Sequence, residues 1–147
     1  MTTKYWYVGC DHAGLALKRS LVALLQLLGD VVIDVGTHDE NSVDYPEFGA
    51  AVGRAVVSNP GSLGVVVCGS GVGISIAANK IRGVRAALCA DGYTAEVARQ
   101  HNDANVIAFG ARVIGPGLAE HALMAFRNAT FAGDRHARRV SLLDAID

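Results

Sequence analysis

The sequence predicts an α/β fold: a single doubly wound, Rossmann-like domain with a five-stranded parallel sheet, helices on both faces and a C-terminal helix. Short runs of β-branched residues alternate along the 147 residues with longer segments of helical periodicity. The strand segments are apolar throughout, which is typical of parallel strands covered on both faces. Because no repeat or linker interrupts residues 1–147, one domain is expected.

The predicted elements follow one another as strand, helix, strand. The strand segments are 5–8, 31–35, 64–67, 84–89 and 106–109. Leu15, Leu21 and Leu25 lie on one face of the first helix, which Gly29 ends. Pro46 opens a second helix that runs to about residue 58. Further helices are predicted over 74–80 and 93–100, from about residue 118, and from about residue 134.

The composition argues against several classes of protein. Thirteen basic and 14 acidic residues give a net charge of −1, which provides no general attraction to nucleic acid or to an anionic membrane. Residues 61–78 carry no charge, but five glycines and three serines there favour a strand, a loop and a helix start over a membrane span. Three cysteines without metal-type spacing, and an N-terminus without a signal-peptide pattern, predict a reduced, cytoplasmic setting. Because neither a metal cluster nor a nicotinamide fingerprint is visible, no metal and no cofactor are expected.

Polar and titratable side chains are concentrated just after the predicted strands. The segments concerned are 10–12, 36–38, 68–73, 90–91 and 110–112. In open α/β sheets, ligands bind beyond the carboxyl ends of the strands. A small-molecule site is therefore expected at this edge of the sheet.

Residues 68–73 place a thiol directly before a glycine-rich loop. The loop consists of Gly69, Ser70, Gly71, Val72 and Gly73. Its spacing matches neither the dinucleotide fingerprint nor a Walker loop, so it forms either a tight turn or a backbone site for an anion or oxyanion. Cys68 is either a small buried apolar residue or, near a helix N-terminus, a base or nucleophile.

Two pairs of residues that each contain a histidine have a structural and a functional interpretation. Asp11 and His12 follow the first strand, where Asp11 could cap the next helix or take part in chemistry. His101 and Asn102 end the fourth predicted helix, where a histidine commonly does no more than complement the helix dipole. The residues alone leave both pairs open.

A basic cluster lies near the C-terminus. Its members are Arg127, Arg135, His136, Arg138 and Arg139. Arg135 and Arg139 are four residues apart and share a helix face that suits a phosphate, although alone they would indicate a solvated surface. Arg112 follows the fifth strand and lies at the ligand-binding edge. Together with the thiol and the histidines, these arginines predict a proton-transfer enzyme that acts on a small phosphorylated molecule.

The motifs resemble one known family, ribose-5-phosphate isomerase B, over residues 5–142. They are GCDHAG (9–14), DYP (44–46), CGSGVGISIAANK (68–80), GVRAA (83–87), RQHNDANV (99–106), GARV (110–113) and GDRHARRV (133–140). The resemblance implies an aldose–ketose isomerase that interconverts D-ribose 5-phosphate and D-ribulose 5-phosphate without a cofactor. It also implies a homodimer or homotetramer with active sites shared between subunits.

The resemblance further implies a role for each candidate residue. Cys68 would move a proton between C1 and C2 through an enediolate, and His101 would protonate the ring oxygen to open the furanose. The other residues would bind substrate: sugar hydroxyls at Asp11, His12 and Asn102, enediolate oxygens at the N–H groups of residues 69–73, and phosphate at Arg112, Arg135 and Arg139.

Two departures from the family pattern bear on the substrate and the base. Ser70 stands where the family usually has threonine, which leaves the pocket roomier by one methyl group. Some relatives use a carboxylate of the following helix as base, whereas Ile74 and Ser75 offer no acid here. The alternatives are an isomerase of allose 6-phosphate, galactose 6-phosphate or a tetrulose phosphate, and a non-catalytic sugar-phosphate-binding regulator.

Overall fold

Five strands and six α-helices alternate along residues 2–147, the part of the chain that the computed structural model describes. The strands are β1 (Tyr5–Cys10), β2 (Val31–Gly36), β3 (Leu63–Cys68), β4 (Ala86–Leu88) and β5 (Val106–Gly110). The helices are α1 (Leu15–Leu27), α2 (Tyr45–Ser58), α3 (Val72–Asn79), α4 (Gly92–Asn102), α5 (Pro116–Asn128) and α6 (Arg135–Asp144). Among residues 2–147, none of the helices combines the length and the hydrophobicity that a membrane span requires.

The strands form one parallel sheet in the order β2-β1-β3-β5-β4. The strand order reverses between β1 and β3, so the connections that leave these two strands diverge to opposite sides. This divergence opens a crevice at their carboxyl ends, where ligands of doubly wound folds bind. The α/β fold predicted from the sequence is confirmed.

The helices cover both faces of the sheet, which explains why the central strands are apolar throughout. Helices α1, α4 and α5 pack on one face, and α2 and α3 pack on the other. Successive strand side chains point to opposite faces. In β3, Val65 and Val67 therefore lie in the core on the side of α1, α4 and α5, whereas Val66 and Cys68 lie in the core on the side of α2 and α3.

The two edge strands differ most from the sequence-based expectation. The strand predicted over 84–89 spans only Ala86–Leu88, although Val84 and Cys89 on either side are buried. In β2, Val31 and Ile33 are about two-fifths exposed, so this strand is not covered on both faces as predicted. Edge strands have one neighbour instead of two, and the helices cover them less completely.

A buried ion pair joins the start of β2 to the end of α5. The Arg127 guanidinium donates to both carboxylate oxygens of Asp30, at 2.6 and 2.7 Å. The Trp6 indole N–H and the Lys4 backbone N–H donate to the same carboxylate, at 2.9 and 3.0 Å. Burial alone would raise the pKa of Asp30, but these four hydrogen bonds outweigh it and hold that pKa below its usual value. Arg127 is therefore an internal residue and does not belong to the basic surface cluster.

Candidate active site

The carboxyl ends of β1, β3 and β5 bring together the first group of candidate residues. These three strands are neighbours in the sheet, so the loops that follow them meet at one edge. We call this group the thiol half-site. It comprises Asp11, His12, Cys68, Gly69, Ser70, Gly71, Val72, Gly73 and Arg112.

Cys68 is the last residue of β3 and lies at the N-terminus of α3. The Gly71 backbone N–H donates to the Cys68 sulfur at 3.1 Å, an interaction that stabilises negative charge on sulfur. Gly71 has a φ of 77°, and a Cβ there would lie 2.6 Å from Leu88 and 2.8 Å from the Phe109 carbonyl carbon. Only glycine fits this position. The loop is thus a tight turn that also directs an N–H donor at the thiol.

Two of the five loop N–H groups are already engaged. Gly71 N–H bonds to the thiol, and Val72 N–H donates to the Ser70 hydroxyl oxygen at 3.2 Å. The N–H groups of Gly69, Ser70 and Gly73 make no hydrogen bond within residues 2–147. The first N–H groups of a helix lack intrahelical acceptors. These three donors can therefore bind an oxyanion placed at the mouth of the loop.

Arg112 lies against the same loop. Its backbone N–H donates to the Gly69 carbonyl at 2.9 Å. Its Nη1 is 3.2 Å from the position that a Cβ on Gly69 would occupy, so a side chain at position 69 would push the guanidinium away. The structure therefore places a positive charge next to the loop, as the sequence predicted for the end of the fifth strand.

Asp11 and His12 are fixed by hydrogen bonds that leave part of each side chain free. Asp11 Oδ1 accepts the Gly14 N–H at 3.1 Å, which confirms the capping interpretation. The second carboxylate oxygen makes no hydrogen bond within residues 2–147. His12 Nδ1 accepts the Val43 N–H at 3.2 Å. When a neutral imidazole accepts at Nδ1, its proton is on Nε2, so His12 can donate from Nε2 to a ligand.

His101, Asn102, Arg135 and Arg139 form a second group, which we call the imidazole half-site. His101 and Asn102 make up the end of α4, next to the start of β4, where Arg85 Nε donates to the Asn102 carbonyl at 3.0 Å. Arg135 and Arg139 lie on α6, are exposed, and form no ion pair with any residue in 2–147. Helix α6 packs against α4, which brings its arginines near His101.

The two half-sites lie at opposite edges of the sheet within one chain. Cys68 pairs with Gly110, the last residue of β5, whereas α4 ends shortly before Val106, the first residue of β5. Four residue steps along a strand correspond to about 13 Å. Cys68 and His101 of one chain are therefore too far apart to act together on neighbouring atoms of one small ligand.

The other two cysteines are unsuited to act as bases at neutral pH. Burial raises the pKa of Cys10 to about 11 and that of Cys89 to about 12. Their side chains belong to the core beside α1 and α4. Cys68 is the only one of the three cysteines that receives a backbone N–H in a glycine loop.

Sequence reasoning missed a buried lysine beneath the thiol half-site. Lys18 is 1% exposed and donates to Asp34 at 2.8 Å and to the Thr37 carbonyl, which ties the loop after β2 to α1. A signal was present, because Lys18 falls on the apolar face of α1 that carries Leu15 and Leu21. Sequence reasoning also gave no separate role to His136, whose ring stacks on that of His101.

The comparisons with known proteins agree on one family. A family model described as Ribose/Galactose Isomerase matches residues 7–143. Ribose-5-phosphate isomerase B of Escherichia coli is 47% identical, with 95% of this chain and 93% of that protein covered. The structure of Clostridium thermocellum ribose-5-phosphate isomerase B superposes with a TM-score of 0.93 at 48% identity and covers 95% of each chain. A galactose-6-phosphate isomerase subunit of Clostridium acetobutylicum is 44% identical, with 84% of this chain and 72% of that protein covered.

Proposed function

Since the chain belongs to the ribose/galactose isomerase family, we propose that it interconverts D-ribose 5-phosphate and D-ribulose 5-phosphate. The observation that carries this proposal is the thiol half-site, in which Cys68 lies beside three unpaired backbone N–H groups. Aldose–ketose isomerisation needs a base next to donors for a developing oxyanion. The thiol and the loop supply both.

Cys68 acts as the base in the proposed reaction. Its thiolate removes the proton from C2 of the open-chain aldose, and the electron pair forms the C1–C2 double bond while the C1 oxygen becomes negative. The thiol then returns the proton to C1, and the proton on the C2 oxygen passes to the C1 oxygen. The N–H groups of Gly69, Ser70 and Gly73 stabilise the enediolate oxygens, where one lost donor typically costs about 3–4 kcal/mol.

His101 opens the sugar ring before this proton transfer. It protonates the furanose ring oxygen as the bond from that oxygen to C1 breaks, and the C1 hydroxyl gives its proton to water as it becomes the carbonyl. General-acid assistance of this kind contributes roughly 10²–10⁴-fold. Because His101 and Cys68 of one chain lie at opposite edges of the sheet, His101 must come from a neighbouring copy of the chain. A complete site therefore combines the thiol half-site of one chain with the imidazole half-site of another.

An apolar surface lies in the right place to join two copies. Val72 and Ile76 on α3 and Leu88 on the edge strand β4 are each 42–55% exposed. An open groove of about 380 Å³ continues along β4 to Asn102 and to Leu143 on α6. A two-fold axis through this surface would bring each thiol half-site to the imidazole half-site of the other chain. We therefore propose a homodimer with two shared sites, alone or within a tetramer.

Replacing Arg135 or Arg139 by alanine is expected to raise KM for ribose 5-phosphate by about tenfold or more, with a smaller change in kcat. Each guanidinium binds the phosphate equally well in the substrate and in the transition state. Removing a guanidinium therefore weakens substrate binding more than it slows the chemical step. Arg138→Ala is the matched control, because Arg138 lies on the same helix but points directly away from α4. Unchanged KM in both variants would place the phosphate elsewhere.

The galactose-6-phosphate isomerase relative favours a second candidate substrate class, the hexose 6-phosphates. One methyl group in a pocket changes preference by only about 1–3 kcal/mol, so Ser70 alone does not decide between sugars. Steady-state turnover of ribose 5-phosphate beside allose 6-phosphate, galactose 6-phosphate and a tetrulose phosphate tests the proposal. Ribose 5-phosphate is expected to give the highest kcat/KM. Turnover of none of the four would instead indicate a sugar-phosphate-binding protein.

A further inference from the structure

The imidazole of His136 packs face to face on that of His101. The two rings are nearly parallel, at 5°, and their centroids are 4.3 Å apart. His136 is 8% exposed, whereas His101 is half-buried. Neither ring nitrogen of His101 makes a hydrogen bond within residues 2–147. No hydrogen bond from these residues therefore fixes the His101 ring, and the stacked ring of His136 is in a position to orient it.

The backbone on either side holds this stack in place. The Ala132 N–H donates to the Gln100 carbonyl at 2.9 Å, one residue before His101. The His136 N–H donates to the Gly133 carbonyl at 2.9 Å and closes the turn that opens α6. These two hydrogen bonds bring the first turn of α6 onto the last turn of α4.

Helical periodicity makes His136 the link between His101 and the arginines. His136 and Val140 are four residues apart and are the two buried residues of α6. Arg135 and Arg139 are also four residues apart, so they lie together on one side of this buried face. The packing of this buried face on α4 therefore sets where the two guanidinium groups lie relative to His101.

The surroundings of His136 favour its uncharged form. Burial lowers the pKa of His136, and the neighbouring imidazole of His101 lowers it further. Arg135 and Arg139 act in the same direction, and only Asp134 opposes them. A lowered pKa favours the uncharged form of His136, and an uncharged imidazole stacks readily on the ring of His101.

We infer that His136 is a positioning residue. Its flat, buried ring holds His101 in the orientation needed to open the sugar ring and fixes it relative to Arg135 and Arg139. This inference rests on the proposed function, because its kinetic consequence falls on ring opening. A positioning role does not require His136 to touch the substrate.

The test compares two substrates that differ in their need for ring opening. D-Ribose 5-phosphate is a furanose, whereas D-ribulose 5-phosphate is open-chain because its C5 oxygen carries the phosphate and cannot close a five-membered ring. His136→Ala is expected to lower kcat with ribose 5-phosphate by about 10- to 100-fold. Deuterium uptake from heavy water into C1 of ribulose 5-phosphate should fall much less, because it needs no ring opening and hence no general acid at His101.

The variant His136→Phe separates ring stacking from mere loss of structure. Phenylalanine keeps a flat aromatic face without a titratable group, so it should restore most of the turnover lost in His136→Ala. Three results would overturn the inference: no loss in His136→Ala, an equal loss of turnover and of deuterium uptake, or no rescue by His136→Phe.

The positioning role of His136 can also be tested without turnover, so that the test remains valid even if the proposed function is wrong. In proton NMR, the Cε1 proton of His101 should be shifted by the stacked ring in the wild type and in His136→Phe. In His136→Ala it should move to the position of a free histidine. Wild-type protein with neither turnover nor exchange but with this shift would refute the isomerase proposal alone. A free-histidine position in the wild type would refute the positioning role.

Discussion

Cys68→Ala is expected to lower kcat for ribose 5-phosphate by about 10³-fold or more, while sugar-phosphate binding stays measurable. The thiol is the group that the Gly71 N–H and the start of α3 orient toward the mouth of the loop. Removing it deletes the base but leaves the loop N–H groups and the arginines in place. Turnover assays combined with calorimetric titration of ribose 5-phosphate separate the two effects.

Two further variants sharpen this prediction. Cys68→Ser keeps the shape but replaces the thiol with a hydroxyl that does not ionise near neutral pH, so it should be nearly as inactive. Cys89→Ala is the control, because Cys89 is also buried but lies outside the loop. A Cys68→Ala protein with near wild-type turnover would show that another group moves the proton.

Arg127→Met is expected to lower the free energy of unfolding by about 3–5 kcal/mol, because it leaves the Asp30 carboxylate buried without its partner. Asp30 has a fully buried side chain, and Arg127 supplies two of its four hydrogen bonds. Methionine retains much of the aliphatic volume, so the loss reports mainly on charge. Chemical denaturation at fixed protein concentration measures it.

The same ion pair predicts a pH dependence with a definite sign. The pKa of Asp30 is lower in the folded chain than its ordinary value of 3.8. Its contribution to stability is therefore complete above that value and declines as the pH falls through the folded-state pKa.

The control for Arg127→Met is Arg138→Met, on an exposed helix face, which should change the free energy of unfolding by less than about 0.5 kcal/mol. A comparable loss in both variants would contradict the role of the pair.

The sequence predicted the fold well because the central strands bury both faces. The pattern of apolar residues reports burial, and in β3 Val65 and Val66 are buried on opposite sides. The same reasoning overextended β4, since Val84 and Cys89 are buried but lie outside the strand. Burial and strand pairing are separate properties, and only the first leaves a clear mark in the sequence.

The thiol half-site could be predicted because its residues follow strands whose ends meet at one edge. Asp11, Cys68 and Arg112 are far apart in sequence, but the parallel topology brings them together. The position of His101 at the opposite edge also follows from topology, because a helix that leaves a parallel strand returns to the amino edge. The sequence pattern does not encode how copies of the chain assemble. Assembly determines which chain's thiol half-site His101 would complete in the proposed dimer.

Buried charged contacts were the least predictable feature. The sequence grouped Arg127 with its basic neighbours, yet its partner Asp30 is 97 residues away. Local charge density carries no information about such a partner. The stacking of His136 on His101 was missed for the same reason, because it joins two helices that the sequence separates.

Subunit complementation tests most directly whether each active site combines Cys68 of one chain with His101 of another. Cys68→Ala and His101→Ala proteins, each inactive alone, are to be unfolded, mixed in equal amounts and refolded together. Random pairing makes half of the dimers mixed, and each mixed dimer has one intact site of two, so about a quarter of wild-type turnover should return. A mixture as inactive as its components would contradict the shared site.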